Sequence, residues 1–326
     1  MRLVPRKLEM LGIDVVHGCQ LRCVGCPNSS LRPRIRHMPV DVFRACMGNV
    51  DVSAIKNVRL FNFGEPLLHP DLPGIVDWLG RQRFRVRTLE ISTNAQARCF
   101  PMLAEVFKTG RLDRLTVSCD GDGTPDEYER LRPPAKWGRL IEFLARSKEY
   151  RDAHSPNTQL VTTTVCESEE GRQRWRHILG RYGYTPRFRR WINLPGSKES
   201  PSGRDSVVRQ GICVYLQQRT LYVDWDGTVV ACCAHPRAGV FGDLKREKYS
   251  EILRGQRRGA FVERIRTRRE AMPICGACEI GRCPSRLEKV FSHSWLPWNR
   301  PSRPVADVPE DEDRPSPNHP GAREAA

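Results

Sequence analysis

The chain has 326 residues, too many for one small domain and enough for a partial barrel with a smaller module attached. Its 54 Lys and Arg against 38 Asp and Glu leave a formal charge of +16, which points to anionic partners or to a solvated Arg-rich surface; no helix-turn-helix, RNP or zinc-finger pattern makes nucleic acid the partner. No run approaches the ~18 apolar residues of a membrane span, residues 1–10 carry charges and no signal-peptide core, and 13 cysteines without an export signal favour metal ligation over disulfides, so a cytoplasmic protein is expected.

In chain order, residues 1–10 read as a short basic lead-in, too short for a leader-binding domain. The apolar run 11–16 predicts a strand that breaks into Gly18-Cys19-Gln20-Leu21-Arg22-Cys23-Val24-Gly25-Cys26-Pro27. A helix is expected over 39–49, a strand over 58–63 leading into Gly64-Glu65-Pro66, a helix over 72–82 and a strand over 86–92. The alternation continues with helix 100–108, strand 115–118, helices 126–132 and 137–151, strand 159–165, helix 169–182 and strand 187–193. Strands alternating with helices predict an α/β fold with a six-stranded parallel sheet over 11–195. Residues 196–210 turn to Pro, Gly, Ser and charge and read as a linker. Residues 211–300 form a Cys-rich β-hairpin and helix module, and 301–326 are expected to be disordered for want of anything to bury.

Cys19, Cys23 and Cys26 stand at the spacing CxxxCxxC. Three thiolates can hold three irons of a [4Fe–4S] cluster and leave the fourth open to a ligand. A structural zinc site, a disulfide with a spare thiol and three unrelated cysteines are the other readings, although His17 stands too close to Cys19 for the usual zinc spacings. The spacing resembles that of the radical S-adenosylmethionine (SAM) superfamily. The resemblance implies a partial (βα)6 barrel with its site at the carboxyl ends of the strands. It also implies a cluster on Cys19, Cys23 and Cys26 whose open iron is chelated by SAM, and reductive cleavage of SAM to a 5'-deoxyadenosyl radical. One departure matters. The residue before the third Cys, often an aromatic packed on the adenine in that family, is Gly25 here, so another group must pack against the base.

The same resemblance assigns SAM-binding positions. Gly64 and Glu65 lie where relatives carry GGEP, with Phe63 in place of the first Gly. Ser92 and Asn94 follow the third expected strand, Ser118 and Asp120 the fourth; Arg132 lies downstream, and Asn193 ends the sixth. Period-two alternation puts Glu90, Ser92 and Asn94 on one face, Thr116, Ser118 and Asp120 on one face of the next strand, and Cys119 opposite, under the helices. On the sixth strand Arg187, Arg189, Trp191 and Asn193 share a face. Arginines in a lumen need anions, supplied by a substrate carboxylate or phosphate held with Arg189 and Trp191, or by lumen acids such as Glu90.

Farther on, Cys213 and Cys232 flank an expected hairpin over 222–230 with Asp226-Gly227 at its turn, and Cys275 and Cys278 form a CxxC. Four such thiolates suit a second [4Fe–4S] cluster or a zinc ion. The pattern, with Gly242-Asp243-Leu244 and a helix over 247–253, resembles the SPASM/twitch extension of radical SAM proteins, specifically the shorter twitch type, since only Cys283 follows. Most other cysteines read as buried small hydrophobes. Cys166, Cys233 and Cys283 are candidate hydrogen-atom donors to a substrate radical.

Taken together, the resemblance implies an enzyme that abstracts hydrogen from a small carbohydrate-derived or nucleoside substrate in a natural-product pathway such as antibiotic biosynthesis. Dehydrogenation, epimerisation, decarboxylation and carbon–carbon coupling are all open, and the substrate is expected to be anionic. A flavodoxin- or ferredoxin-like electron donor is the expected partner. Peptide modification, a nucleotide cyclase, and a non-enzymatic iron–sulfur electron carrier or redox-sensing nucleic-acid binder are the alternatives.

Overall fold

The computed structural model describes residues 7–82, 85–196, 211–217 and 219–281. Most of the expected linker, the expected tail and Cys283 lie outside the described residues. The elements are β1 (Lys7–Ile13), β2 (Val16–His17), α1 (Asn28–Leu31), β3 (Arg36–His37), α2 (Val40–Gly48), β4 (Ala54–Arg59), α3 (Leu72–Gly80), β5 (Arg85–Thr93), α4 (Phe100–Lys108) and β6 (Arg114–Ser118). They continue as α5 (Pro125–Leu131), α6 (Trp137–His154), β7 (Gln159–Val165), α7 (Glu169–Gly180), β8 (Thr185–Arg189) and α8 (Val214–Gln217). The last are β9 (Thr220–Val223), β10 (Thr228–Val230), β11 (Val240–Asp243), α9 (Tyr249–Arg254) and α10 (Gln256–Arg268).

Six strands, β1-β4-β5-β6-β7-β8, pair in parallel, and helices connect each of the first five to the next. The helices are held by apolar stripes at helical spacing, such as Leu72, Ile75, Val76 and Leu79 on α3 and Leu103, Val106 and Phe107 on α4. Cys119 is fully buried in this layer, on the side that strand alternation gave it.

Two expected strands are displaced. The strand expected over 58–63 runs Ala54–Arg59, because the carboxylate of Asp14 takes the backbone N–H groups of Asn62, Phe63 and Gly64. The strand expected over 187–193 runs Thr185–Arg189. Its ladder partner β7 ends at Val165, and the last bond of the seam is Cys166 N to Arg189 O at 3.1 Å. The period-two argument therefore stops at Arg189 and does not carry Trp191 and Asn193 onto a common face with it.

The C-terminal hairpin is continuous with the barrel sheet. β9 pairs in parallel with β1, β10 returns antiparallel to β9, and β11 pairs with β10, giving the order β11-β10-β9-β1-β4-β5-β6-β7-β8. Trp225, at the hairpin turn, packs 5.5 Å from the His17 ring and under the Arg36 guanidinium at 5.3 Å, so the turn rests on the β2–β3 pair that flanks the Cys loop.

Candidate cluster and cofactor sites

The loop after β1 carries Cys19, Cys23 and Cys26 and is strapped from two sides. Arg22 N donates to Pro133 O at 2.6 Å and Val24 N to Leu131 O at 2.8 Å, so the end of α5 braces it. Glu65 N donates to Gly18 O at 3.2 Å, and Asn28 Nδ2 to Phe63 O at 2.6 Å, which fixes the loop after β4 against it. Burial pushes the thiol of Cys19 up to about 11 and that of Cys23 up to about 12, and raises Cys26 too. Such thiols become ligands when a metal displaces their protons. Leu21 N, at 3.4 Å, and Asn94 Nδ2, at 3.2 Å, both donate to Cys19 Sγ. The Asn94 amide is itself oriented by Gln96 N, which donates to its Oδ1 at 2.9 Å.

Asp14 is a residue that sequence reasoning missed. It is 2% exposed at the end of β1, and its Oδ1 accepts from Asn62 N (3.2 Å) and Gly64 N (2.9 Å) while Oδ2 accepts from Phe63 N (2.9 Å). Burial pushes its acid up to about 7 against the pull of those three donors. The available signal was an acid inside the apolar run Leu11-Gly12-Ile13-Asp14-Val15-Val16. Gly64 is required where it stands, since a Cβ there would lie 1.7 Å from Val16 O. The neighbouring Glu65 carboxylate is buried and engaged by the protein: Oε1 accepts from Thr93 Oγ1 (2.7 Å) and Leu67 N (3.1 Å), and Oε2 from Asn94 N (2.7 Å). Glu65 thus joins the loop after β4 to the end of β5.

Asp120 and Arg132 form a buried ion pair whose charges act on Cys23 and Cys26, and Asp120 Oδ1 also accepts from Val165 N at 3.2 Å. Ser92 and Ser118 lie half-buried at the carboxyl ends of β5 and β6. Asn193 follows β8. Its backbone N–H and its side-chain Nδ2 both donate to the Glu279 carboxylate, at 2.9 and 2.8 Å, tying the end of the barrel to the residue after Cys278. The Trp191 ring takes up the room beside Gly25: a Cβ on Gly25 would meet it at 3.5 Å, and the φ of +78° at Gly25 disfavours any side chain there.

Deeper in the lumen, Glu90 accepts from Thr116 Oγ1 at 2.8 Å and pairs with Arg59 at 3.3 Å and Arg114 at 3.5 Å. Arg187 and Arg189 reach the same group of charges. Burial lowers both guanidiniums, helped by repulsion from Arg114 on Arg187 and from Arg59 on Arg189, and Arg189 falls to about 10. Of the candidate hydrogen donors, Cys233 sits beside Arg59 and the phenols of Tyr215 and Tyr222, whose rings are 5.7 Å apart. Cys166 is not brought to the lumen group. It is packed in the core under the first turn of α7, its Sγ 3.5 Å from Ser168 O, because β7 has already ended.

Cys213, Cys232, Cys275 and Cys278 line one small cavity together with Pro195, Ala234, His235, Ile265, Arg269 and Ile274. Cys213 precedes α8, Cys232 follows β10, and Cys275 and Cys278 flank a single turn of 3-10 helix. Among the described residues, no three Cys, His, Asp or Glu side chains converge closely enough to hold a single metal ion. The donor sets fit iron–sulfur groups: three thiols with an oriented amide on one of them, and four thiols around a cavity.

Residues 13–170 match the Radical SAM superfamily, and residues 213–279 match SPASM, an iron–sulfur cluster-binding domain. The chain belongs to the radical SAM superfamily. It is a radical SAM enzyme with a SPASM domain, and its cofactors are SAM, a [4Fe–4S] cluster and auxiliary iron–sulfur. A non-enzymatic electron carrier is thereby set aside. The GTP 3',8-cyclase of Heliobacterium modesticaldum (strain ATCC 51547 / Ice1) is 26% identical over 137 residues, 41% of this chain and 40% of that enzyme, so the match spans less than half of the curated relative. Among solved structures, BtrN in complex with AdoMet and 2-DOIA aligns at TM-score 0.52 and 16% identity, covering 83% of this chain and 92% of its own. Native anSMEcpe with bound AdoMet aligns at 0.58 and 13%, covering 82% and 88%. At these identities the likeness is one of fold. Among the described residues, no helix is long and apolar enough to cross a membrane.

Proposed function

We propose that this enzyme abstracts a hydrogen atom from an anionic small molecule, a carbohydrate or nucleoside bearing carboxylate or phosphate, in a natural-product pathway. The observation that carries this reading is the lumen charge: Arg59, Arg114, Arg187 and Arg189 gather around Glu90. Burying several guanidiniums together is expensive, and a bidentate anion offsets that cost well. The partial match to a GTP cyclase favours the nucleotide end of the range.

When bound, SAM and the cluster on Cys19, Cys23 and Cys26 supply the 5'-deoxyadenosyl radical. The chain's own residues orient. Asp14 and Gly64 shape the loop over the cofactor, while Glu65 and Asn94 fix the end of β5 against Cys19. Asp120 and Arg132 set the charge beneath the Cys loop, with Ser92 and Ser118 at the strand ends beside it. The Trp191 ring, beside Gly25, would pack on the adenine in place of the aromatic that Gly25 lacks. Cys213, Cys232, Cys275 and Cys278 hold a single auxiliary cluster of the twitch type, and a cytoplasmic flavodoxin- or ferredoxin-like protein supplies the electron. Cys233 is the candidate for returning a hydrogen atom, which would make the reaction an epimerisation.

The test is 5'-deoxyadenosine release by reconstituted enzyme offered nucleotides, sugar phosphates, uronic acids, cationic aminocyclitols and peptides. Stimulation by anionic compounds, with KM raised in Arg187→Gln/Arg189→Gln and SAM affinity unchanged, supports the reading. Stimulation by aminocyclitols or peptides alone would overturn it.

A further inference from the structure

The wall of the auxiliary cavity contains a buried cation, Arg269, whose charge no carboxylate among the described residues offsets. Arg269 opens the short turn after α10 and is 2% exposed. Its Nε donates to Cys275 O at 3.1 Å, its Nη1 to Gly211 O at 3.2 Å, and its Nη2 to Cys278 O at 3.0 Å and Ile280 O at 2.7 Å. Four of the five guanidinium N–H donors therefore end on backbone carbonyls. The acceptors come from both Cys-bearing segments: Gly211 lies two residues before Cys213, and the other three surround the Cys275–Cys278 turn. Val214 N, donating to Gly281 O at 2.8 Å, closes the same seam.

Carbonyl dipoles solvate a guanidinium but carry no net charge, and among the described residues no carboxylate pairs with Arg269. A buried cation without a counter-ion is unfavourable. Glu279, beside Cys278, is taken up by Asn193, and the groups able to become anions in the cavity that Arg269 lines are the sulfurs of Cys213, Cys232, Cys275 and Cys278. Thiols that ligate iron are deprotonated. A cluster with four thiolate ligands is a net anion, and it gains a further negative charge on reduction.

We propose that Arg269 is the positioning residue of the auxiliary cluster: it locks the Cys213 segment to the Cys275–Cys278 turn and supplies the buried positive charge that favours the cluster's reduced form. This rests on the assignment of Cys213, Cys232, Cys275 and Cys278 as the ligands. Surrounding charge and hydrogen bonding are among the factors that set iron–sulfur potentials.

The test uses the full chain in a Cys19→Ala/Cys23→Ala/Cys26→Ala background, so that auxiliary iron alone contributes to the signal. Arg269→Gln and Arg269→Lys are added, and each protein is reconstituted anaerobically, counted for iron, checked by circular dichroism and titrated by electron paramagnetic resonance. The expected result is that Arg269→Gln keeps its iron but loses at least tenfold in the reduced-to-oxidised ratio, a fall of about 59 mV for a one-electron couple, with Arg269→Lys in between. Loss of iron from Arg269→Gln and its retention in Arg269→Lys would equally support the charge. An unmoved midpoint in an iron-replete Arg269→Gln overturns the role of Arg269 alone. Loss of iron from both variants at native circular dichroism would leave only the fork's geometry and overturn the charge. Iron missing from the background itself would overturn the ligand assignment, and the role of Arg269 with it.

Discussion

Replacing Asp14 with alanine removes the acceptor of three half-buried N–H groups at once, those of Asn62, Phe63 and Gly64. A fully buried donor left unpaired costs about 1–3 kcal/mol, so three half-buried ones cost at most about 3–9 kcal/mol gross, against a whole-domain stability of about 5–15. No longer burying a carboxylate offsets part of this. Asp14→Asn separates the contributions. Its one oxygen can keep Asn62 and Gly64, while its NH2 faces Phe63 N–H, so only about 1–3 kcal/mol should go. The assay is denaturant unfolding of the metal-free chain, with SAM affinity of the reconstituted protein as a second readout. The expected order is wild type, Asp14→Asn, then a far weaker Asp14→Ala with little SAM binding, because the loop that places Gly64 over Val16 is released. An Asp14→Ala protein within about 0.5 kcal/mol of wild type, the range of an ordinary surface substitution, would refute the reasoning.

Arg132→Met leaves Asp120 buried without its partner and should cost about 3–5 kcal/mol, and pairing it with Asp120→Leu should recover much of the loss; unfolding midpoints of the three variants decide this. The acid of Asp14 is raised from 3.8 to about 7, so the folded chain holds a proton there that the unfolded chain has lost. Its contribution to stability is full below about 4 and is lost as pH rises through about 7; melting the metal-free protein from pH 4 to 8 should show that fall, and Asp14→Asn should flatten it. Trp191→Ala should weaken SAM binding about tenfold or more while Trp191→Phe retains most of it, read by calorimetry on reconstituted protein. Equal affinities would remove Trp191 from the adenine site.

The parts of the fold legible in the sequence were the local ones. The CxxxCxxC spacing, the βα alternation and the Asp226-Gly227 turn are each written within a few residues, and strand β7 falls where its pattern put it. What was not legible depends on partners far along the chain. β8 stops at Arg189 because β7 has ended, which no periodicity within 187–193 reveals. β9 joins β1 across most of the molecule, a pairing that two short apolar strands do not specify by themselves. The bond from Asn193 to Glu279, 86 residues on, is likewise invisible to local periodicity. Asp14 and Arg269 escaped notice because a buried charge looks like any other charge until its acceptors or donors are seen. The departure at Gly25 was visible; that the Trp191 ring fills the space beside it was not, since it comes from the far end of the barrel.

The most direct measurement of the account is anaerobic reconstitution of wild type and of Cys19→Ala/Cys23→Ala/Cys26→Ala, with iron and sulfide counted and both incubated with SAM and dithionite. About eight irons are expected in wild type and about four in the variant, with 5'-deoxyadenosine from wild type alone. Wild type that held intact clusters and released no 5'-deoxyadenosine under any reductant would contradict it.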